Sequence, residues 1–194
     1  MKSKLCRSRF PQFPPVSILL FLASAAIVFA HRVDEHLQAT LVTIEPDRIR
    51  LQINLTPGVA VAGKVLELVD RNRDGVIATN ESAAYCELLK HDLTVKLDQR
   101  DLKLKCTASY FPGLAELRTG WGFIQIEFSG TTGQLAAGAH KLTIENRHLP
   151  KLSAYLVNAA QPASASIEIT KQTRNENQSN GEIQFTVKAQ GNSS

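Results

Sequence analysis

The chain has 194 residues, 43% of them hydrophobic, and carries 22 Lys and Arg against 18 Asp and Glu, for a formal net charge of +4. That suits one sizeable globular domain, with or without a small insertion. No dense Lys/Arg patch interleaved with aromatics occurs, which leaves a nucleic-acid partner without support.

Four cations, Lys2, Lys4, Arg7 and Arg9, precede the apolar run from Ile18 to Phe29 and the small-residue pattern Val28-Phe29-Ala30. This is the layout of a secretory signal over residues 1–30, with cleavage after Ala30. The run falls short of the about 20 apolar residues that a comfortable bilayer span needs. The expectation is an exported chain, periplasmic or secreted, near neutral once the leader is removed. Two cysteines then remain, Cys86 and Cys106, in a compartment where disulfides persist. They are either bridged or two buried free thiols.

From Leu37 to Ile44 and again over Ile49, Leu51, Ile53 and Leu55, apolar residues alternate with polar ones around the turn Glu45-Pro46-Asp47. The pattern predicts a hairpin with one dry face. Thr56-Pro57-Gly58 ends it, and Val61, Val65, Leu66, Leu68 and Val69 then recur at helical spacing. A second helix opens at Thr79-Asn80-Glu81-Ser82, with Thr79 as N-cap and an apolar stripe through Cys86, Leu88, Leu89 and Leu93. Residues 59–92 therefore read as helix, loop, helix. Strands follow at Thr94–Asp98, Leu102–Cys106, Phe123–Phe128, Lys141–Glu145, Ala154–Val157, Ile167–Thr170 and Ile183–Val187, with Lys171–Gly181 as a long mobile loop and 191–194 as a disordered tail. About eight short strands separated by turns predict a mainly β protein with inserted helices. The expected architecture is an Ig-like β-sandwich over residues 31–190, interrupted by 59–92.

The loop from Asp70 to Glu81 reads Asp-Arg-Asn-Arg-Asp-Gly-Val-Ile-Ala-Thr-Asn-Glu. Calcium takes six to eight oxygen ligands, and a twelve-residue loop delivers them when acidic or amide side chains fall at alternate positions. Asp70, Asn72 and Asp74 occupy positions one, three and five; Gly75 at six can turn left-handed, Val76 at seven offers its carbonyl, and Glu81 at twelve closes the set. On these residues and the flanking helices, the segment resembles the EF-hand family, which implies one Ca2+ bound by Asp70, Asn72, Asp74, Val76 and Glu81. Two features weaken such a site. Arg71 and Arg73 place positive charge inside the loop, and Ala78 at position nine supplies no side-chain ligand. Affinity on the order of 10⁻⁴ to 10⁻³ M, as in extracellular modules, is expected. No second such loop is present to pair with the first, so the partner is the sandwich or another protomer.

Three further stretches, Ala30–Thr40, Leu55–Val61 and Tyr155–Ala159, give the chain a looser likeness to exported bacterial proteins. Some of those are similar to the extracytoplasmic region ahead of the membrane helices in nickel/cobalt-permease-like proteins. The likeness implies a protein partner or membrane permease of unknown identity. An alternative function comes from the mature N-terminus: His31, with His36 nearby, would hold a transition metal through its α-amine and imidazole. His140 and His148 read as surface histidines, and Trp121 as packed at a strand start. No Gly-x-Ser-x-Gly, His-Glu-x-x-His or Cys/His constellation is present. The sequence thus reads as a non-enzymatic exported module that binds calcium structurally.

Overall fold

A computed structural model describes residues 34–189. The leader 1–30, His31 and the tail 191–194 lie outside the described residues. Among the described residues, ten strands form two five-stranded sheets: β1 (His36–Ile44), β2 (Arg48–Pro57), β3 (Leu93–Leu97), β4 (Arg100–Asp101), β5 (Lys105–Tyr110), β6 (Ile124–Thr131), β7 (Gly138–Asn146), β8 (Ser153–Ala159), β9 (Ile167–Arg174) and β10 (Asn180–Val187). The first sheet runs β5-β6-β2-β1-β8 and the second β4-β3-β7-β10-β9. Three helices among the described residues connect strands: α1 (Ala62–Val69) and α2 (Thr79–His91), both between β2 and β3, and α3 (Leu114–Arg118) between β5 and β6 of the first sheet. None among the described residues is long and apolar enough to cross a membrane.

The β1–β2 hairpin forms as its alternation requires. Val42, Ile44, Ile49, Leu51, Ile53 and Leu55 are all at most 1% exposed, and each full burial of such a side chain is worth roughly 1.5–3 kcal/mol. They share one hydrophobic core with Ile126 and Phe128 of the first sheet, Leu142, Ile183 and Phe185 of the second, and Val65, Val69, Tyr85 and Leu89 of the helices. The helix pair leaves the first sheet at Pro57 and returns the chain to the second at Leu93. β8 runs parallel to β1. Its outer edge is covered from the second sheet: Gln172 Nε2 and Arg174 Nε donate to the Val157 carbonyl at 3.1 and 2.5 Å, and Gln172 Oε1 accepts from Ala159 N–H. Side chains thus satisfy groups that would otherwise invite another strand.

Three expectations are corrected, and one helix was not foreseen. Leu102–Cys106 is not one strand: Arg100–Asp101 pairs with β3, and the chain then crosses to the first sheet and resumes as Lys105–Tyr110. Lys171–Gly181 is not a long loop, because β9 continues to Arg174 and β10 begins at Asn180. Asn175 stitches the turn, its carbonyl-side oxygen accepting from Asn180 N–H at 2.9 Å. Trp121 is 79% exposed instead of packed, and helix α3 was unanticipated. The two cysteines are free thiols, Cys86 buried and Cys106 half-buried.

Candidate metal centre

Helix α1 ends as Asp70 N–H donates to the Leu66 carbonyl at 2.8 Å. The chain then reverses through two left-handed residues, Arg73 (φ 61°) and Gly75 (φ 88°). The acidic and amide side chains fold back on the loop's own backbone. Asn72 Oδ1 accepts from Asp74 N–H at 3.0 Å, Asp74 Oδ1 from Val76 N–H at 2.8 Å, and Asp70 Oδ2 from Gly75 N–H at 3.1 Å. Each satisfies a donor that no helix or strand takes up. An added Cβ at Gly75 would meet nothing within 4 Å, so its constraint is the backbone alone. Gly75→Ala is expected to cost about 1–2 kcal/mol in urea unfolding, the penalty of a left-handed L-residue.

Helix α2 starts after Ala78, not at an N-capping Thr79 as expected. Ala78 has no side-chain oxygen, so only the reciprocal half of a capping box forms: Glu81 Oε2 accepts from Ala78 N–H at 3.1 Å. The other oxygen, Oε1, accepts from Arg71 N–H at 2.8 Å and Asn72 N–H at 3.2 Å. The N–H groups of Ala78, Asn72 and Arg71 hold the Glu81 carboxyl below its ordinary range. Glu81 thereby ties both ends of the loop together.

Asp70 and Glu81 are 7% and 5% exposed, whereas Val76 is 65% exposed. Asp70 Oδ1 is buried and accepts no hydrogen bond. A buried carboxylate oxygen without a partner is costly, and a cation beside it would remove that cost. Asp70, Gly75 and Arg73 line a cleft of about 370 Å³ that Arg118 of α3 borders. Arg73 reaches out of the loop to Glu67 on α1 at 3.7 Å, and both partners are well exposed. Ile77, at position eight, packs against the hydrophobic core. As folded, no three His, Cys, Asp or Glu side chains among the described residues converge closely enough to hold a metal. Asn72 turns its amide nitrogen to Asp74 Oδ2 at 2.8 Å. Asn72 and Glu81 must therefore rotate away from these bonds to present oxygens to an ion.

A second cluster went unseen in the sequence. His148, expected at the surface, is 0% exposed. Its Nδ1 meets Asp92 Oδ2 at 2.8 Å, and its Nε2 meets the Tyr85 hydroxyl at 3.1 Å. The pair of contacts fits a neutral ring donating from Nδ1 and accepting at Nε2. Its carbonyl accepts from Gln38 Nε2 at 2.7 Å and from the Tyr155 hydroxyl at 2.8 Å. Asn146 completes the network, donating to Gln38 Oε1 and accepting from His148 N–H. Burial lowers the His148 pKa against the pull of Asp92, and burial raises that of Tyr85. Although His148 does reach a carboxylate, both ring nitrogens are taken, and none of the four clefts described is lined by it. The cluster anchors α2 to β1 and β8. Tyr85→Phe should cost about 1–3 kcal/mol in urea unfolding, because it strands a buried acceptor.

His36 lies beside this network, wholly buried, its ring 6.4 Å from that of His148 in an edge-to-face arrangement. Neither of its ring nitrogens makes a hydrogen bond of good geometry, although the Thr56 backbone lies close enough to favour the protonated ring slightly. It is a buried residue, and His31, beside which the sequence reading set it as a metal ligand, lies outside the described residues. His140 is also mostly covered, its Nδ1 2.7 Å from Asp98 Oδ2 and its Nε2 2.9 Å from the Ala136 carbonyl. Compared with known proteins, the chain matches no family model, and neither a curated protein nor a solved structure is significantly similar to it.

Proposed function

We propose that the loop Asp70–Glu81 binds one calcium ion and that the ion serves a structural role in an exported domain. One observation carries the reading: Asp70 Oδ1 is buried without a hydrogen bond while Oδ2 of the same carboxylate is fixed by Gly75 N–H. That oxygen is an acceptor waiting for a cation, at the first position of a loop whose side-chain spacing suits calcium. Asp70, Asn72, Asp74 and Glu81 would supply side-chain oxygens, and Val76 its carbonyl. Calcium would neutralise the carboxylates and hold α1 against α2. The ligand set is all oxygen and flexible, which favours calcium over magnesium. The finer fold reading, an Ig-like sandwich carrying one EF-hand, belongs to the same proposal. Export is supported by the basic, apolar and small-residue order of the first 30 residues.

Isothermal titration with calcium tests the reading directly. Saturable one-to-one binding in the sub-millimolar to millimolar range is expected, lost in Asp70→Asn and in Glu81→Gln. Absence of any binding heat at about 10 mM calcium, some tenfold above the weakest affinity of comparable modules, would sink it.

A further inference from the structure

Helix α2 faces strand β5, and the contact brings two thiols together. Cys86, on α2, is 3% exposed and belongs to the hydrophobic core, against which the half-buried Cys106 of β5 packs. The helix packs directly on β5, with Cys106 and Ser109 as the strand residues whose side chains act on the Cys86 thiol. A β-bulge sets this up. Cys106 pairs with Phe128 and Ala108 with Glu127, so Thr107 is the extra residue. Such a bulge re-aims the neighbouring side chain, and here the Cys106 Sγ also reaches the Ala108 carbonyl at 3.6 Å.

We infer that Cys86 and Cys106 are the reduced form of a disulfide that clamps α2 to the edge strand β5. The bond forms by thiol–disulfide exchange with a low-molecular-weight disulfide such as oxidised glutathione. The more exposed Cys106, as thiolate, attacks one sulfur of that disulfide and releases one thiol. The Cys86 sulfur, on losing its proton to solvent, then attacks the Cys106 sulfur of the mixed disulfide and releases the second thiol. The two protein sulfurs are oxidised by two electrons, and the reagent's S–S bond is reduced to two thiols. Burial, and then the neighbouring Cys106, push the Cys86 thiol up to about 12, so the second exchange is the slow one.

The clamp does not depend on calcium. Its effect is on the unfolded chain, where it closes a loop spanning β3 and β4. In the native state it fastens the helix that carries Glu81 and Tyr85 to the outermost strand of the first sheet.

The test is to incubate the folded chain with oxidised glutathione at pH 8, then count thiols and map peptides without reduction. The expected map contains a Cys86–Cys106 cross-linked peptide, distinguishable from any adduct of Cys6. The oxidised protein should melt roughly 5–12 °C above the reduced one, as for a loop of about 20 residues closed by a bridge. Cys106→Ser, a change at a half-buried site, should abolish both the cross-link and the rise. The inference fails if both thiols stay titratable after incubation, or if Cys106 is captured as a glutathione adduct that never passes to Cys86. It fails equally if the bridge forms and the melting temperature falls.

Discussion

Adding calcium to about 10 mM should raise the melting temperature of the chain by about 3–11 °C, and Asp70→Asn should remove the rise. The magnitude follows from linkage. A ligand that binds only the folded state stabilises it by RT ln(1 + [L]/Kd), which at a Kd on the order of 10⁻⁴ to 10⁻³ M gives roughly 1.4–2.7 kcal/mol. A domain of this size shifts by about 2–4 °C per kcal/mol. The effect has a structural source in the Asp70 oxygen that is buried without a donor and in the Glu81 carboxylate that now spends itself on backbone N–H groups. Magnesium at the same concentration should produce a smaller rise, because it keeps its waters and resists a loose oxygen shell. A melting temperature indifferent to calcium in the unaltered chain would end the structural-ion reading.

Acid should destabilise the protein from pH 6.5 downward, well before carboxylates titrate, and His36 is the reason. Burial, and then the nearby His148, depress its pKa to about 3. In the unfolded chain the same ring titrates near 6.5, so between these values the unfolded state binds a proton that the folded state refuses. Stability is therefore complete above pH 6.5 and falls by about 1.4 kcal/mol for each unit below it, or roughly 3 kcal/mol by pH 4. The lowered pKa of His148 acts in the same sense. His140 acts oppositely: burial works against its charge, but the Ala136 carbonyl and Asp98 raise its pKa, so its contribution is present in acid and lost as pH rises. The groups facing the histidine pair are Tyr85, Asp92 and Tyr155, none of which supplies His36 with a counter-charge. Urea unfolding between pH 7 and 4.5 measures the slope. His36→Leu should flatten it, whereas an equal slope in parent and variant would place the acid lability elsewhere.

Much of this was legible in residue order, and the failures share a cause. The positions of the loop follow from spacing alone, as does the insertion of two helices between the second and third strands. In β1, the parity that buries Val42 and Ile44 also buries His36, Gln38 and Thr40. Reading the phase of the apolar residues backward would have placed His36 inside. The same holds for β7, where Leu142, Ile144 and Asn146 point inward and His148 continues the phase beyond the strand. Polarity misled where geometry decided. β9 is an edge strand with little burial after Ile167, so its composition resembles a loop's. Leu102 and Leu104 do pack against the core, yet a strand needs a neighbour to bond with, and at that point the chain is passing between sheets. Which hydrogen bonds Glu81 makes, and that a bulge aims Cys106, depend on three-dimensional pairing that no local pattern encodes.

The parallel partnership of β1 with β8 has a kinetic side. Gln38 meets His148 and Ser153 across 110 and 115 residues of chain, so β1, which lies between β2 and the edge strand β8, finds its second neighbour only after the seven strands before β8 have been made. Loop-closure entropy of that order falls before any of the contacts it permits, and chains dominated by such distant pairings fold in milliseconds to seconds, not microseconds. The β1–β2 hairpin forms early and locally. Until β8 arrives, the far side of β1 is an unpaired strand edge beside apolar surface, open to any extended chain that reaches it first. The closing of β1 on β8 therefore sets the length of the interval in which this protein is most exposed to misassembly.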